Sequence, residues 1–231
     1  MNGISITDVS YQINGIAILQ AVSFESVAKR IAILGRNGSG KSTLSRLICG
    51  LDQPSQGTIR IDNIDVYKDR RAALDMIGMI FQNPDHQIIF PTVIEEMKFG
   101  LTQMGFDKFE ADHRAMAYLK TFGKADWRDR AISTLSQGQK KLLCLMAILA
   151  MEPKVIILDE PLAALDIPTQ RQLTEILQSL PQTLVYITHD TAPIKDYDVA
   201  IWLDQGKIVE TGSPETLLPK FIDEMNRIEV L

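Results

Sequence analysis

An α/β fold with a mainly parallel sheet is the architecture this sequence predicts, and three observations predict it. "RIAILG" and "KVIILDE" are short, almost wholly apolar runs, as expected of strands buried on both faces. Helical patterns alternate with such runs, the ordering that gives crossover connections between parallel strands. From about Asn83 to Met151 the strand signal fades and helical spacing takes over, so a helical segment reads as inserted into the α/β part.

The elements follow in order. "GISITDVSYQI" and "AILQAVSFESV" alternate in polarity and read as strands. After "RIAILG" a helix is expected from Lys41 to about Cys49, with Gly50 placed to end it. "GTIRIDNIDV" returns to strand alternation. "KFEADHRAMAYLKTF" predicts an amphipathic helix with Phe109, Met116, Leu119 and Phe122 on or near one face. "QKKLLCLMAILAM" predicts a second, mostly buried helix. A helix over "PTQRQLTEILQSL" follows the strand "KVIILDE", and "TLVYITHD" is another strand. "DVAIWLDQGKIVETG" predicts a hairpin with Gln205-Gly206 near its turn.

Composition narrows the class of function. With 231 residues, 45% of them hydrophobic and 23% charged, the chain is long and apolar enough to bury a sizeable core. The net charge of -5 lacks a basic footprint, so no nucleic-acid partner is expected. Cys49 and Cys144 each sit in an apolar helical pattern, as buried free thiols do in a reducing compartment. The three histidines are scattered without Cys/His metal spacing. No secretory signal opens the sequence, and its longest apolar run, Leu142 to Met151, is well short of the ~17 to 25 residues that span a bilayer, so no direct membrane insertion is expected.

"GRNGSGKS", Gly35 to Ser42, fits G-x-x-x-x-G-K-[ST] between a buried strand and a helix. A glycine-rich helix-capping turn uses similar residues, but this motif in this context points to a phosphate cradle. Backbone N–H groups turn inward, the helix N-terminus adds its positive end, Lys41 reaches the β/γ-phosphates and the Ser42 hydroxyl can hold Mg²⁺. "VIILDE" ends a strand in two carboxylates. Asp159 is the natural anchor for Mg²⁺ beside such a loop, and Glu160 the natural group to polarise an attacking water. In "LSQGQ", Ser136 can cap the helix that starts near Gly138, which makes a second anion-binding helix start.

The P-loop, "LSQGQ", "ILDEP", "AALD" and "ITHD", in this order, resemble the ATP-binding-cassette (ABC) ATPases over nearly the whole chain. The resemblance implies one ABC ATPase domain over residues 1–231: a P-loop NTPase core from 1–82 and 152–231, with an N-terminal antiparallel β subdomain, and an inserted α-helical subdomain from 83–151. It implies ATP and Mg²⁺, with Asn37, Gly38, Ser39, Gly40, Lys41, Ser42 and Thr43 on the nucleotide and Tyr11 stacked on adenine. It implies that Ser42, Gln82 and Asp159 serve the metal, and that Glu160, Gln82 and His189 serve hydrolysis. Head-to-tail dimers are implied too, with Ser136, Gly138 and Gln139 meeting the partner's ATP in trans and Asp166 linking the two sites. Two residues depart from the family pattern. Gln137 stands where a glycine is usual, so its side chain must point away from the phosphate, and Ala163 stands where serine is common.

"FQNPDHQ" followed by "IFPTVIEEMKFGL" resembles the ATPases of energy-coupling factor (ECF) importers, in which this segment receives coupling helices from a transmembrane partner. The expectation is a homodimer peripheral to the cytoplasmic face of the membrane. Its partners would be a transmembrane scaffold and a substrate-binding membrane subunit. Biotin is the leading cargo, with cobalt or nickel next. Glu95 and Glu96 are expected on the exposed, docking face of the helix beside Gln82. A chain with so little sequence after "GSPETLL" is expected to carry no regulatory domain or second cassette. Alternatives are a soluble ABC ATPase acting on a cytosolic assembly, the ATPase of another ABC importer class, and a P-loop kinase. The kinase reading leaves "LSQGQ" and His189 without a role.

Overall fold

The computed structural model describes residues 3–227, in two compact units. One comprises the chain up to Leu74 and from Gln182 onward, the other Asp75–Pro181.

In the first unit, β1 (Ile4–Ile13) and β2 (Ile16–Ser26) form an antiparallel hairpin. Asn14 and Gly15 turn it at φ 50 and 79, the left-handed pair that a two-residue hairpin loop requires. Strict alternation would break between Ile6 and Val9, yet both are buried. Asp8, at φ 47, is the extra residue of a bulge that returns Val9 to the core face, and Ala21, at φ 48, does the same between Leu19 and Val22. β4 (Gln56–Ile61) pairs with the other edge of β1, and β5 (Ile64–Asp65) folds back on β4 through Asp62-Asn63.

The unit's second sheet is centred on β3 (Arg30–Leu34), whose residues 31 to 34 are fully buried. β8 (Thr183–Thr188) and β9 (Val199–Asp204) flank it in parallel, and β10 (Lys207–Gly212) pairs antiparallel with β9. α1 (Lys41–Ile48) leaves the end of β3 and stops at Gly50, whose φ of 60 lets its N–H bond back to Leu47 O. α7 (Pro214–Arg227) lays Leu217, Leu218 and Phe221 inward, with the Phe221 ring edge-on to Trp202 at 5.5 Å. The first unit ends inside α2 (Arg70–Met76).

In the second unit, β6 (Ile77–Ile80) and β7 (Val155–Asp159) pair in parallel. α3 (Val93–Gln103), α4 (Lys108–Thr121) and α5 (Gln137–Ala150) share one core that includes Met97, Leu101, Ala115, Leu119, Leu143 and Met146. α6 (Ile167–Ser179) follows β7.

One sequence expectation fails in α4. Phe109 is 83% exposed, whereas Leu119 is buried with Ala111 and Ala115, and Met116 and Phe122 pack against the same core as expected. At 100° per residue, Phe109 lies about 120° from Ala115, the middle of that buried face. The side chain of Asp107 accepts from the N–H groups of Phe109 and Glu110, which fixes the helix start, while packing against α3 and α5 sets which face is buried. Among the described residues, no helix is long and apolar enough to cross a membrane.

Candidate nucleotide site

The glycine-rich loop lies in the first unit, between β3 and α1. Gly38 and Gly40 have φ values of 81 and 103, and a side chain at Gly40 would meet Leu19 Cδ2 at 2.8 Å. Lys41 is buried. Its Nζ donates to the carbonyls of Gly35 and Arg36 at 2.8 and 2.9 Å, so the ammonium lies within the loop's own curve. Among the described residues the buried hydroxyl of Ser39 has no hydrogen-bond partner, which suits a loop built for an anionic guest. Asn37 and Ser42 are exposed, and Thr43 is half-buried. Tyr11 is a half-buried residue of β1 opposite Leu19. His189 follows the last residue of β8 and is exposed, so it is no structural core histidine.

In the second unit, Asp159 closes β7 at 8% exposure and Glu160 follows it. Gln82 Nε2 donates to Glu160 Oε2 at 2.7 Å, which brings these two candidates together and leaves the amide oxygen of Gln82 as an acceptor. Glu160 has φ 46 and Ala164 φ 59, both left-handed conformations uncommon without glycine. What holds this loop is a residue that sequence reasoning missed. Lys141, 2% exposed, sends Nζ to Pro161 O at 2.8 Å and Ala163 O at 2.7 Å. Its only sequence signal is a cation within the apolar period of "QKKLLCLMAIL". Burial pulls this ammonium down to about 8, against the opposing pull of the Glu160 charge. Gln170 adds donations to the carbonyls of Leu162 and Leu165.

The N-terminus of α5 is a complete capping box. Ser136 Oγ accepts from Gln139 N at 3.2 Å, and Gln139 Oε1 accepts from Ser136 N at 3.0 Å. Gly138 is required for packing, because a Cβ there would stand 2.5 Å from Thr169 Cγ2. Gln137 projects away from its own helix start and donates to Asp85. Asp166 caps α6 by accepting from Thr169 N at 2.9 Å, and hydrogen bonding to the Thr169 side chain first, and to this backbone N–H second, holds its carboxyl below the usual range.

The segment after Gln82 departs from the expected docking face at one residue. Glu95 is exposed, but Glu96 is 7% exposed and turned inward. Its Oε2 accepts from the N–H groups of Ile89 and Phe90, both at 2.9 Å, so it ties the connecting loop to α3. Phe90 and Phe99 pack on each other with ring centroids 5.3 Å apart. Glu96→Ala leaves two backbone donors unpaired and is expected to cost about 2 to 3 kcal/mol in urea unfolding. Glu95→Ala is expected to stay within about 0.5 kcal/mol of wild type. Equal losses for the two variants would contradict this division.

A family model described as ABC transporter matches residues 19–163. The chain is 45% identical over 228 residues to a biotin transport ATP-binding protein, BioM, of Rhodobacter capsulatus, covering 99% of this chain and 97% of that one. It is 35% identical over 209 residues to an energy-coupling factor transporter ATP-binding protein, EcfA, of Methanosphaera stadtmanae, covering 87% of this chain and 75% of that one. Among solved structures it resembles cbiO1 of Clostridium perfringens, described as part of the ABC transporter complex cbiONQ. The TM-score is 0.81 at 30% identity, with 96% of this chain and 94% of that one covered. These matches span both units, the glycine-rich loop and the Gln82–Glu160 pair. The chain belongs to the ABC transporter family, as one of its ATP-binding, ATP-hydrolysing subunits.

Proposed function

We propose that this protein is the ATPase of an importer of the energy-coupling factor type, with biotin as its cargo. Its residues 1–231 act as one ABC ATPase domain, with 83–151 as the helical part. The observation that carries the reading is the Gln82–Glu160 hydrogen bond. The group proposed to polarise water is bonded to the residue that begins the segment proposed to receive a membrane partner, so chemistry and docking meet at Gln82. The 45% identity to BioM supports the cargo.

In this reading Lys41, Ser42, Thr43 and the amides from Asn37 to Gly40 hold the ATP phosphates, and Tyr11 stacks on the base. Ser42, Gln82 and Asp159 offer a hydroxyl, an amide oxygen and a carboxylate, the hard oxygen donors that Mg²⁺ takes. That ion would neutralise phosphate charge. Glu160 takes the proton of the attacking water, and His189 meets the γ-phosphate. A second copy of the chain presents Ser136, Gly138 and Gln139 to the nucleotide in trans, and Asp166 links the two sites. The dimer works at the cytoplasmic face of the membrane against a transmembrane scaffold and a small substrate-binding membrane subunit.

The test is affinity capture of the tagged protein from native membranes in mild detergent. Recovery of one polytopic scaffold and one small membrane protein that binds biotin is expected. Recovery of ribosomal or other cytosolic assemblies instead would replace this reading with that of a soluble ABC ATPase.

A further inference from the structure

Gln137, which stands where the family usually has glycine, has a specific contact. Its Nε2 donates to Asp85 Oδ2 at 3.0 Å, while Lys140 Nζ, one turn along α5, reaches Asp85 Oδ1 at 2.6 Å. The two donors take one carboxylate oxygen each. Asp85 is in turn tied to its own segment, since its N–H donates to Asn83 Oδ1 at 3.0 Å and it lies in the short 3-10 turn Pro84–His86. Burial does not explain glutamine here, because Gln137 and Asp85 are both exposed. Capping does not explain it either, since Ser136 and Gln139 complete the capping box without it. Lys140 and then Gln137 hold the Asp85 carboxyl below its usual range, so it stays ionised at neutral pH.

We propose that Gln137 is a positioning residue that yokes the first turn of α5, where Ser136 and Gly138 sit, to the segment following Gln82. A glycine at 137 has no side chain to make this link, and Lys140 alone holds Asp85 through a long, flexible stem. With both donors in place, a shift of the α5 N-terminus on meeting nucleotide carries residues 83 to 88 with it. The mechanical link stands on the contacts above. Its use in transport rests on the proposed docking role of that segment.

The test compares Q137E, D85N and the double variant Q137E/D85N, each in a Glu160→Gln background that retains ATP. Q137E sets two carboxylates face to face. The double variant restores one hydrogen bond with its direction reversed, the asparagine amide donating to the new carboxylate. Hydrogen–deuterium exchange is followed with and without ATP. In the parent, ATP is expected to slow exchange both in residues 137–141 and in 83–88. In Q137E the first response persists and the second falls by about fivefold, and in the double variant it returns, since a hydrogen bond to a charged group is at stake. An undiminished response of 83–88 in Q137E overturns the yoke. So does a double variant no better than Q137E, which a general loss of helix stability would produce.

A second readout uses the catalytically intact chain within its membrane complex. There Q137E is expected to lower cargo moved per ATP by about fivefold, and Q137E/D85N is expected to restore it. If the exchange results hold but the wild-type complex moves no cargo, the yoke stands and the importer reading falls.

Discussion

Glu160→Gln is expected to reduce steady-state ATP turnover by about a thousandfold while ATP binding survives, a loss within the span attributed to a positioned general base. The substitution changes no volume and keeps the end of β7 intact. It removes the group able to accept a proton, and it places an amide opposite the Gln82 amide, where a carboxylate now accepts at 2.7 Å. The left-handed backbone at Glu160 fixes where that carboxylate points. Phosphate release measures the turnover, and gel filtration with ATP is expected to show the variant accumulating as a dimer. Turnover within about threefold of wild type would show that another group activates the water.

Lys141→Met is expected to lower kcat by about thirtyfold with little change in KM for ATP, because truncating a buried donor leaves carbonyls unpaired at a cost of about 1 to 3 kcal/mol each. Methionine fills a similar volume, but the carbonyls of Pro161 and Ala163 lose their donor. The loop then relaxes from its two left-handed residues, and Glu160 moves with it. A loss confined to KM would place Lys141 in binding rather than positioning.

Lys141 also gives a pH signature opposite to that of a lysine in a surface ion pair. Its folded-state value of about 8 lies below the ~10.4 of a free lysine, so folding displaces a proton between those limits. Below pH 8 the burial penalty is fully present, and it is relieved as pH rises toward 10. The stability of wild type relative to Lys141→Met should therefore rise by up to about 3 kcal/mol across that window, measured by urea unfolding at several pH values. A falling difference would contradict the assignment.

The architecture was legible where local chemistry and tertiary context agree. β3 and β7 are apolar runs that only a two-sided burial satisfies, and the expected Gln205-Gly206 turn places a glycine at one of its two positive-φ positions. Less legible were elements whose phase is set by a neighbour. The buried face of α4 is chosen by its packing against α3 and α5, and its two alanines mark that side more faintly in sequence than the large, exposed Phe109 marks the other. "GTIRIDNIDV" is one alternating run in sequence but two strands in space, because Asp62 and Asn63 both adopt positive φ.

The site shows the same contrast. Gly35 to Ser42 carries its chemistry in its spacing, whereas Glu96, Lys141 and Gln137 act through contacts 6 to 52 residues away in sequence. A glutamate beside an exposed glutamate gives no sign that it faces inward to bond two amides.

Uptake of radiolabelled biotin by cells carrying the chain with its membrane subunits tests the central claim most directly, with wild type compared against Glu160→Gln at matched expression. Energised accumulation in wild type that falls to the level of empty cells in the variant is the predicted result. Equal accumulation in both would contradict the claim that hydrolysis at Glu160 powers import.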